Sequence, residues 1–456
     1  LPANTQIGEL VISLVGLNAH SSYWLPGEYV VATYAGTAPD VSSWSAATPL
    51  GVEATFEVQA AQKRVVMRVT GSTVAPSVWL KPGDGAWGEA ANWSTLPAQD
   101  PGASVWLGEA PGVATHITIG SGVTLGSLMF DADDPYTLSG AGMTFGAPGA
   151  DGSLTVKRGC HTVASALSVP SELAVTVHPG AEVLLSGGAA GGGQMSVAGG
   201  GTLSLADTTA LNVPVVCDAV TLGAASSAEL SAAVTVNSGG LCLDPGTGTT
   251  LTLVGAVGGT GPVTKRGASV AVLSGGFSGT GPRVIQNGTM ALNSLTDGGE
   301  IFLGEGRLKY VGAPVVAAKG LTIQTGDPQL GGTFECDTDV TLTGTVVARN
   351  GVFIKTGTGT LTLAGEGENT LGVGEGSWDY LAPINLGAYG ESPTRGLRTF
   401  NVLNGKVVLG AAGQTNWLPN TVVIGGQTTT LPGAETAGHL EIRGGYTKVG
   451  NILTVG

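Results

Sequence analysis

From about residue 110 a short unit recurs along the chain, and it limits the fold more than any other feature. The unit is a triplet alternating aliphatic and small polar residues, a glycine corner, then another triplet. Thus His116-Ile117-Thr118-Ile119 is followed by Gly120-Ser121-Gly122 and Val123-Thr124-Leu125. Gly152-Ser153-Leu154-Thr155-Val156, Gly201-Thr202-Leu203-Ser204-Leu205 and Thr250-Leu251-Thr252-Leu253 repeat the pattern. Period two puts the aliphatic side chains on one face of a strand and the hydroxyls on the other. Strands this short are marginal as isolated hairpins. Stacked as coils, they bury one continuous column of aliphatics and pair their backbone groups with the coils on either side.

Composition agrees with a narrow, turn-rich core. Glycine makes up 77 of 456 residues, more than twice the usual share of ~7%. Hydrophobic residues are 42%, so a core is affordable, yet residues 146–276 contain no Phe, Trp or Tyr. A β-sandwich would use fewer strands and a bulkier core. The expected fold is all-β, a right-handed parallel β-helix (β-solenoid) preceded by an N-terminal β-rich cap or sandwich-like module. At ~20–25 residues per coil and ~4.8 Å between strands, residues 100–456 would give about fifteen coils and a rod roughly 70 Å long.

Three regions divide the chain. Residues 1–75 carry Tyr23, Trp24, Tyr29, Tyr34, Trp44 and Phe56, with alternation in Arg64-Val65-Val66-Met67-Arg68-Val69, and resemble the β-rich cap that closes a repeat tract in large surface proteins, which implies the end of a preceding module. Residues 76–108 form a Trp-rich junction, and 109–456 the parallel β-helix. The strand pattern runs on to Gly456, which leads us to expect that the stack continues or is covered by another copy.

Charge and cysteine content exclude several functions. The net charge of −14 leaves no basic stripe for phosphates, so nucleic acid is not an expected partner. No apolar run is long enough for a transmembrane helix. Cys160, Cys217, Cys242 and Cys336 have no zinc spacing, and strand-like contexts such as Val215-Val216-Cys217-Asp218 favour inward-facing thiols over disulfides.

Two segments can be laid on each other, at about 261–292 and 351–409. The second contains Lys355-Thr356-Gly357-Thr358-Gly359-Thr360-Leu361-Thr362-Leu363-Ala364-Gly365, then Asn369-Thr370 and a later Asn404-Gly405 strand. The first has Lys265-Arg266-Gly267 and a later Asn287-Gly288 strand. This run resembles the autotransporter-associated β-strand repeat, also called the passenger-associated transport repeat. Its motif positions here are Lys265, Gly267, Lys355, Gly357, Gly359, Leu361, Leu363, Gly365 and Asn369. The resemblance implies a passenger-like segment of an exported bacterial surface protein.

Candidate chemistry is sparse. Asp131, Asp133 and Asp134 are the densest acidic cluster and the only candidates for a calcium site; a solvated turn is the plainer reading. Trp79, Trp87 and Trp93 could form a sugar-stacking platform or, as we favour, a plug at the end of the helix. Cys160 and His161 are adjacent in a strand and so point to opposite faces. Asn92-Trp93-Ser94 and Asn287-Gly288-Thr289 match the N-glycan acceptor pattern. No catalytic residue and no cofactor is assigned. The expected function is a non-enzymatic structural segment of an extracellular or bacterial cell-surface fibre or array, self-associating through its ends or flanks. An adhesin for host or environmental glycans and a polysaccharide-degrading enzyme are the alternatives.

Overall fold

A computed structural model describes residues 27–42, 44, 53–70, 76–108, 113–206, 211–324, 331–348, 352–365, 368–370, 399–409, 415–418, 421–424, 438–443, 446–449 and 452–455. Nearly all regular structure in them is β.

The N-terminal region contains an antiparallel sheet of three strands, Gly27–Thr33, Glu53–Gln59 and Arg64–Thr70, with the third in the centre. The hairpin between the last two turns through Lys63, whose φ of 48° is left-handed. Val65, Val66, Met67 and Val69 of the central strand are buried. Arg68 bridges the outer strands through Glu28 at 2.6 Å and Glu57 at 3.3 Å.

From Ser77 onward the pairing becomes parallel, and the chain winds into a β-solenoid. One sheet of sixteen strands runs the whole way, from Gly85–Ala86 to Tyr446–Val449. In it Thr115 pairs with Tyr136, Thr137 with Thr162, Cys160 with Glu182 and Glu182 with Thr202, so successive coils take 21, 25, 22 and 20 residues. The other walls are each built from two sheets. After the long sheet, the early coils enter a four-stranded sheet that starts at Val123–Leu125, and later coils a ten-stranded sheet that starts at Ala228–Leu230. The last wall is a nine-stranded sheet up to Val257–Gly259 and a five-stranded sheet from Val315–Ala317.

The alternation read from the sequence is realised directly. Leu154 and Val156, Leu203 and Leu205, and Leu251 and Leu253 are buried inside, while the residues between them lie on the outer face. Each fully buried aliphatic side chain contributes about 1.5–3 kcal/mol, and together they form one contiguous core from Trp79 to Leu409.

The solenoid begins earlier than the expected boundary at 109. Ser77 already pairs with Val105, Gly85 with Ile117 and Ser104 with Ser127. The Trp-rich junction is therefore the opening of the coil stack. Its strands of two to four residues are too short to carry a period-two signal, which is why the sequence hid them.

Candidate functional sites along the solenoid

Trp79, Trp87 and Trp93 form a closed layer at the N-terminal end of the core. Their rings meet edge to face at 4.9 Å, Trp93 against both others. Trp93 donates its indole N–H to the Trp87 carbonyl at 2.7 Å. All three are at most 4% exposed, so none offers a ring face to a sugar. The stacking platform is thereby corrected to a plug: the first layer has core aliphatics on one side only, and large rings close the other. Asn92 is buried as well, its Nδ2 donating to the Ala86 carbonyl at 2.9 Å and to Glu89 at 3.1 Å. That amide is engaged and is not an accessible glycan acceptor.

The acidic cluster is held by basic residues of the next coil. Arg158 meets Asp131 at 3.0 Å and Asp133 at 2.9 Å, and Lys157 lies 3.7 Å from Asp131. Asp134 is partly exposed beside them. Two of the three calcium candidates thus face a guanidinium, which repels a cation. Among the described residues no group of three or more His, Cys, Asp or Glu side chains could hold a metal ion.

His161 faces inward and Cys160 outward, as strand geometry requires. The imidazole stacks on Phe130 at 4.5 Å. Its Nδ1 accepts the Tyr136 backbone N–H at 3.1 Å, which makes Nε2 the protonated nitrogen, and Nε2 donates to the Arg158 carbonyl at 2.8 Å. Burial lowers the pKa of this ring. The four cysteines are free. Burial pushes Cys217 up to about 12 and Cys336 up to about 11, the range of unreactive thiols. Cys242 is only partly buried and Cys160 is exposed, so the inward placement expected for the cysteines holds for two of the four.

The motif lysines occupy unexpected places. Lys265 and Lys355 sit at inward positions of the alternation and are fully buried. Each ends at a glycine corner: Gly267 has φ +66° and Gly357 φ +80°. Lys265 Nζ donates to the carbonyls of Arg266 and, at 3.0 Å, Gly267. Lys355 Nζ donates to Thr356 at 2.6 Å, Gly357 at 2.9 Å and Asn404 of the next coil at 3.4 Å. Burial lowers both ammonium pKa values. Chemically, each lysine is a staple that satisfies carbonyls turned inward by the corner. The Asn-Gly strand of the following coil lies on top, and a Cβ at Gly288 or Gly405 would collide with the carbonyls of Gly267 or Gly357.

The other motif positions serve the same corner. Leu361 and Leu363 are buried inside, and Gly365 is buried after them. A Cβ at Gly359 would strike the Thr338 backbone. Asn369 lies in the strand Glu368–Thr370, and its side chain falls outside the described residues. The two copies share a corner but not a wall: Lys265 lies in the sixteen-stranded sheet and Lys355 in the ten-stranded one.

Sequence reasoning missed a third buried cation. Arg283 is fully buried, 5.1 Å from the Phe277 ring centre, where the last wall is interrupted between its two sheets. It donates to the carbonyls of Asp297 and, at 3.3 Å, Ser294, and burial lowers its pKa to about 10. The signal was a charged residue at an aliphatic position of an alternating strand, as for Lys265 and Lys355.

A shallow groove on the long sheet is lined by Glu182, Thr202, Ser204, Thr221, Asp244 and Pro245. Glu182 accepts from Ser204 Oγ at 2.5 Å. Pairing runs from Glu182 through Thr202 and Thr221 to Cys242, two residues before Asp244. Three steps of ~4.8 Å separate the two carboxylate-bearing strands by about 14 Å, beyond the ~5–10 Å used by glycoside hydrolases. No protein-family model matches the chain, and neither a curated protein nor a solved structure matches it significantly.

Proposed function

We propose that the chain is a non-enzymatic structural segment of an extracellular or bacterial cell-surface fibre or array, akin to an autotransporter passenger. The observation that carries this reading is the continuous parallel wall of sixteen strands. Fifteen inter-strand steps of ~4.8 Å make a rod about 70 Å long. The described strands of that wall pair in register with the coils beside them, so the rod resists bending and local opening. The Lys355 corner adds to this by stapling one coil to the next from inside. Outer faces rich in Ser and Thr, with a net charge of −14, favour solubility of the single rod. Association then takes place through ends or flanks.

Sedimentation of the purified chain over a range of concentrations tests the reading. Concentration-dependent growth into regular assemblies is the expected result. A monomer at every concentration, or release of products from a broad polysaccharide panel, would overturn it.

A further inference from the structure

Both repeat corners are covered by an Asn-Gly step of the next coil, and the second one has an unusual local geometry. The Gly405 N–H donates to Oδ1 of the preceding residue, Asn404, at 2.7 Å. Its neighbours behave otherwise: Leu403 N–H reaches the Lys355 carbonyl at 3.1 Å and Lys406 N–H the Gly359 carbonyl at 3.4 Å. The Gly405 nitrogen, at the first residue of the strand Gly405–Leu409, is thus held against the Asn404 side-chain amide. Glycine adds no Cβ to obstruct that approach, and φ of +70° favours glycine.

The second ingredient is the buried ammonium. Lys355 Nζ lies 3.4 Å from the main-chain carbonyl oxygen of Asn404. That carbonyl belongs to the same peptide group as the Gly405 N–H. A cation on its oxygen draws electron density from the nitrogen and makes the N–H more acidic, which is the step that limits attack by an amide nitrogen.

We propose that Asn404-Gly405 is a self-modification site, at which Asn404 closes to a succinimide and opens to aspartate or isoaspartate beside Lys355. The Gly405 nitrogen forms a bond to Asn404 Cγ, and the Cγ–Nδ2 bond breaks. The N–H proton leaves with the amide as ammonia. Water then adds to either ring carbonyl, giving aspartate if the new bond breaks and isoaspartate if the main-chain bond breaks. No oxidant or cofactor is needed.

The product changes the corner. Among the described residues no carboxylate lies within ion-pair distance of Lys355, whose partners are three carbonyls and the Cys336 thiol. Aspartate at 404 places an anion on the residue that already accepts from Lys355 and so tightens the staple. Isoaspartate adds a methylene to the main chain and shifts the register of Gly405–Leu409 on Thr360–Leu363. The reaction is therefore a slow one-way timer on one seam of the rod. At Asn287-Gly288 the ammonium contact differs: Lys265 Nζ bonds the Arg266 and Gly267 carbonyls of its own corner.

The test is a time course of the folded full chain at mildly alkaline pH, read by peptide mass spectrometry with isoaspartate detection and ammonia assay. The expected result is replacement of NH2 by OH at Asn404, several-fold faster than at Asn287. Lys355→Met, with hydrogen exchange in Thr115–Ile119 and Glu172–Val177 checking that the rod away from the corner persists, brings the Asn404 rate down toward that of Asn287 even though the corner itself opens more often. Three results would overturn the proposal: an unmodified Asn404 while the denatured chain reacts, a rate at Asn287 equal to or above that at Asn404, or an unchanged rate in Lys355→Met. A cross-linked Lys355–Asn404 peptide, formed with loss of ammonia and no later gain of water, would also overturn it, because the amine and not the glycine nitrogen would then be the nucleophile.

Discussion

Replacing Lys355 by methionine keeps the length of the side chain and removes its ammonium. Two carbonyls, of Thr356 at 2.6 Å and Gly357 at 2.9 Å, then lose their donor inside the core. A buried acceptor left without a partner costs about 1–3 kcal/mol. The opposing effect is the ammonium's own desolvation, several kcal/mol that methionine does not incur. The carbonyls are fixed by a corner whose φ of +80° at Gly357 leaves little room to turn them outward, so their combined cost of about 2–6 kcal/mol outweighs the returned desolvation by about 1–2 kcal/mol. With ~1.4 kcal/mol per tenfold, local opening becomes ~5- to ~30-fold more frequent. A melting temperature is a poor readout, because a long solenoid opens in parts. Hydrogen exchange should instead show lost protection in Val352–Thr356, Thr399–Val402 and Gly405–Leu409, with Thr115–Ile119 and Glu172–Val177 unchanged in the same molecule. Unchanged or improved protection at the corner, or a loss spread evenly over the rod, would refute the staple.

Three further outcomes follow from the same contacts. Trp87→Ala removes a 2%-exposed ring from the plug and should cost about 3–5 kcal/mol, measured as early exchange in the first coils; near-neutral behaviour would mean that the layer does not seal the core. Gly357→Ala forces a Cβ against the Cys336 carbonyl at a left-handed φ and should cost about 1–3 kcal/mol, whereas a silent change in urea-dependent exchange would contradict the corner geometry. Burial lowers the His161 pKa, so the unfolded chain takes up the proton first. Stability around Tyr136 is then complete above ~6.5 and falls as pH drops toward the lower folded value. Exchange of the Tyr136 amide across that range should show the slope, and His161→Gln should flatten it; an identical slope in the variant would rule out this ring.

Much of the fold could be read from the sequence because a solenoid is locally encoded. Leu251 and Leu253 point inward for the same reason that they alternate with threonine. What stayed hidden lies across the coils. Arg158 neutralises Asp131 from 27 residues away, which is one coil in space, and no pattern along the chain marks that step. Lys265 and Lys355 look equivalent because their corners are; their different walls depend on the accumulated lengths of the intervening corners. The buried cations were visible as charges at inward positions, but their role required seeing which carbonyls the corners turn inside. The Trp cluster was ambiguous because rings serve equally well to stack on sugar or to close a core, and only burial separates the two uses.

Electron microscopy of the purified chain across a concentration series tests the central claim most directly. The expected images show rods at least about 70 Å long, joined end to end or side by side into a regular fibre or lattice as concentration rises. Dispersed single particles at every concentration would contradict a structural, self-associating role.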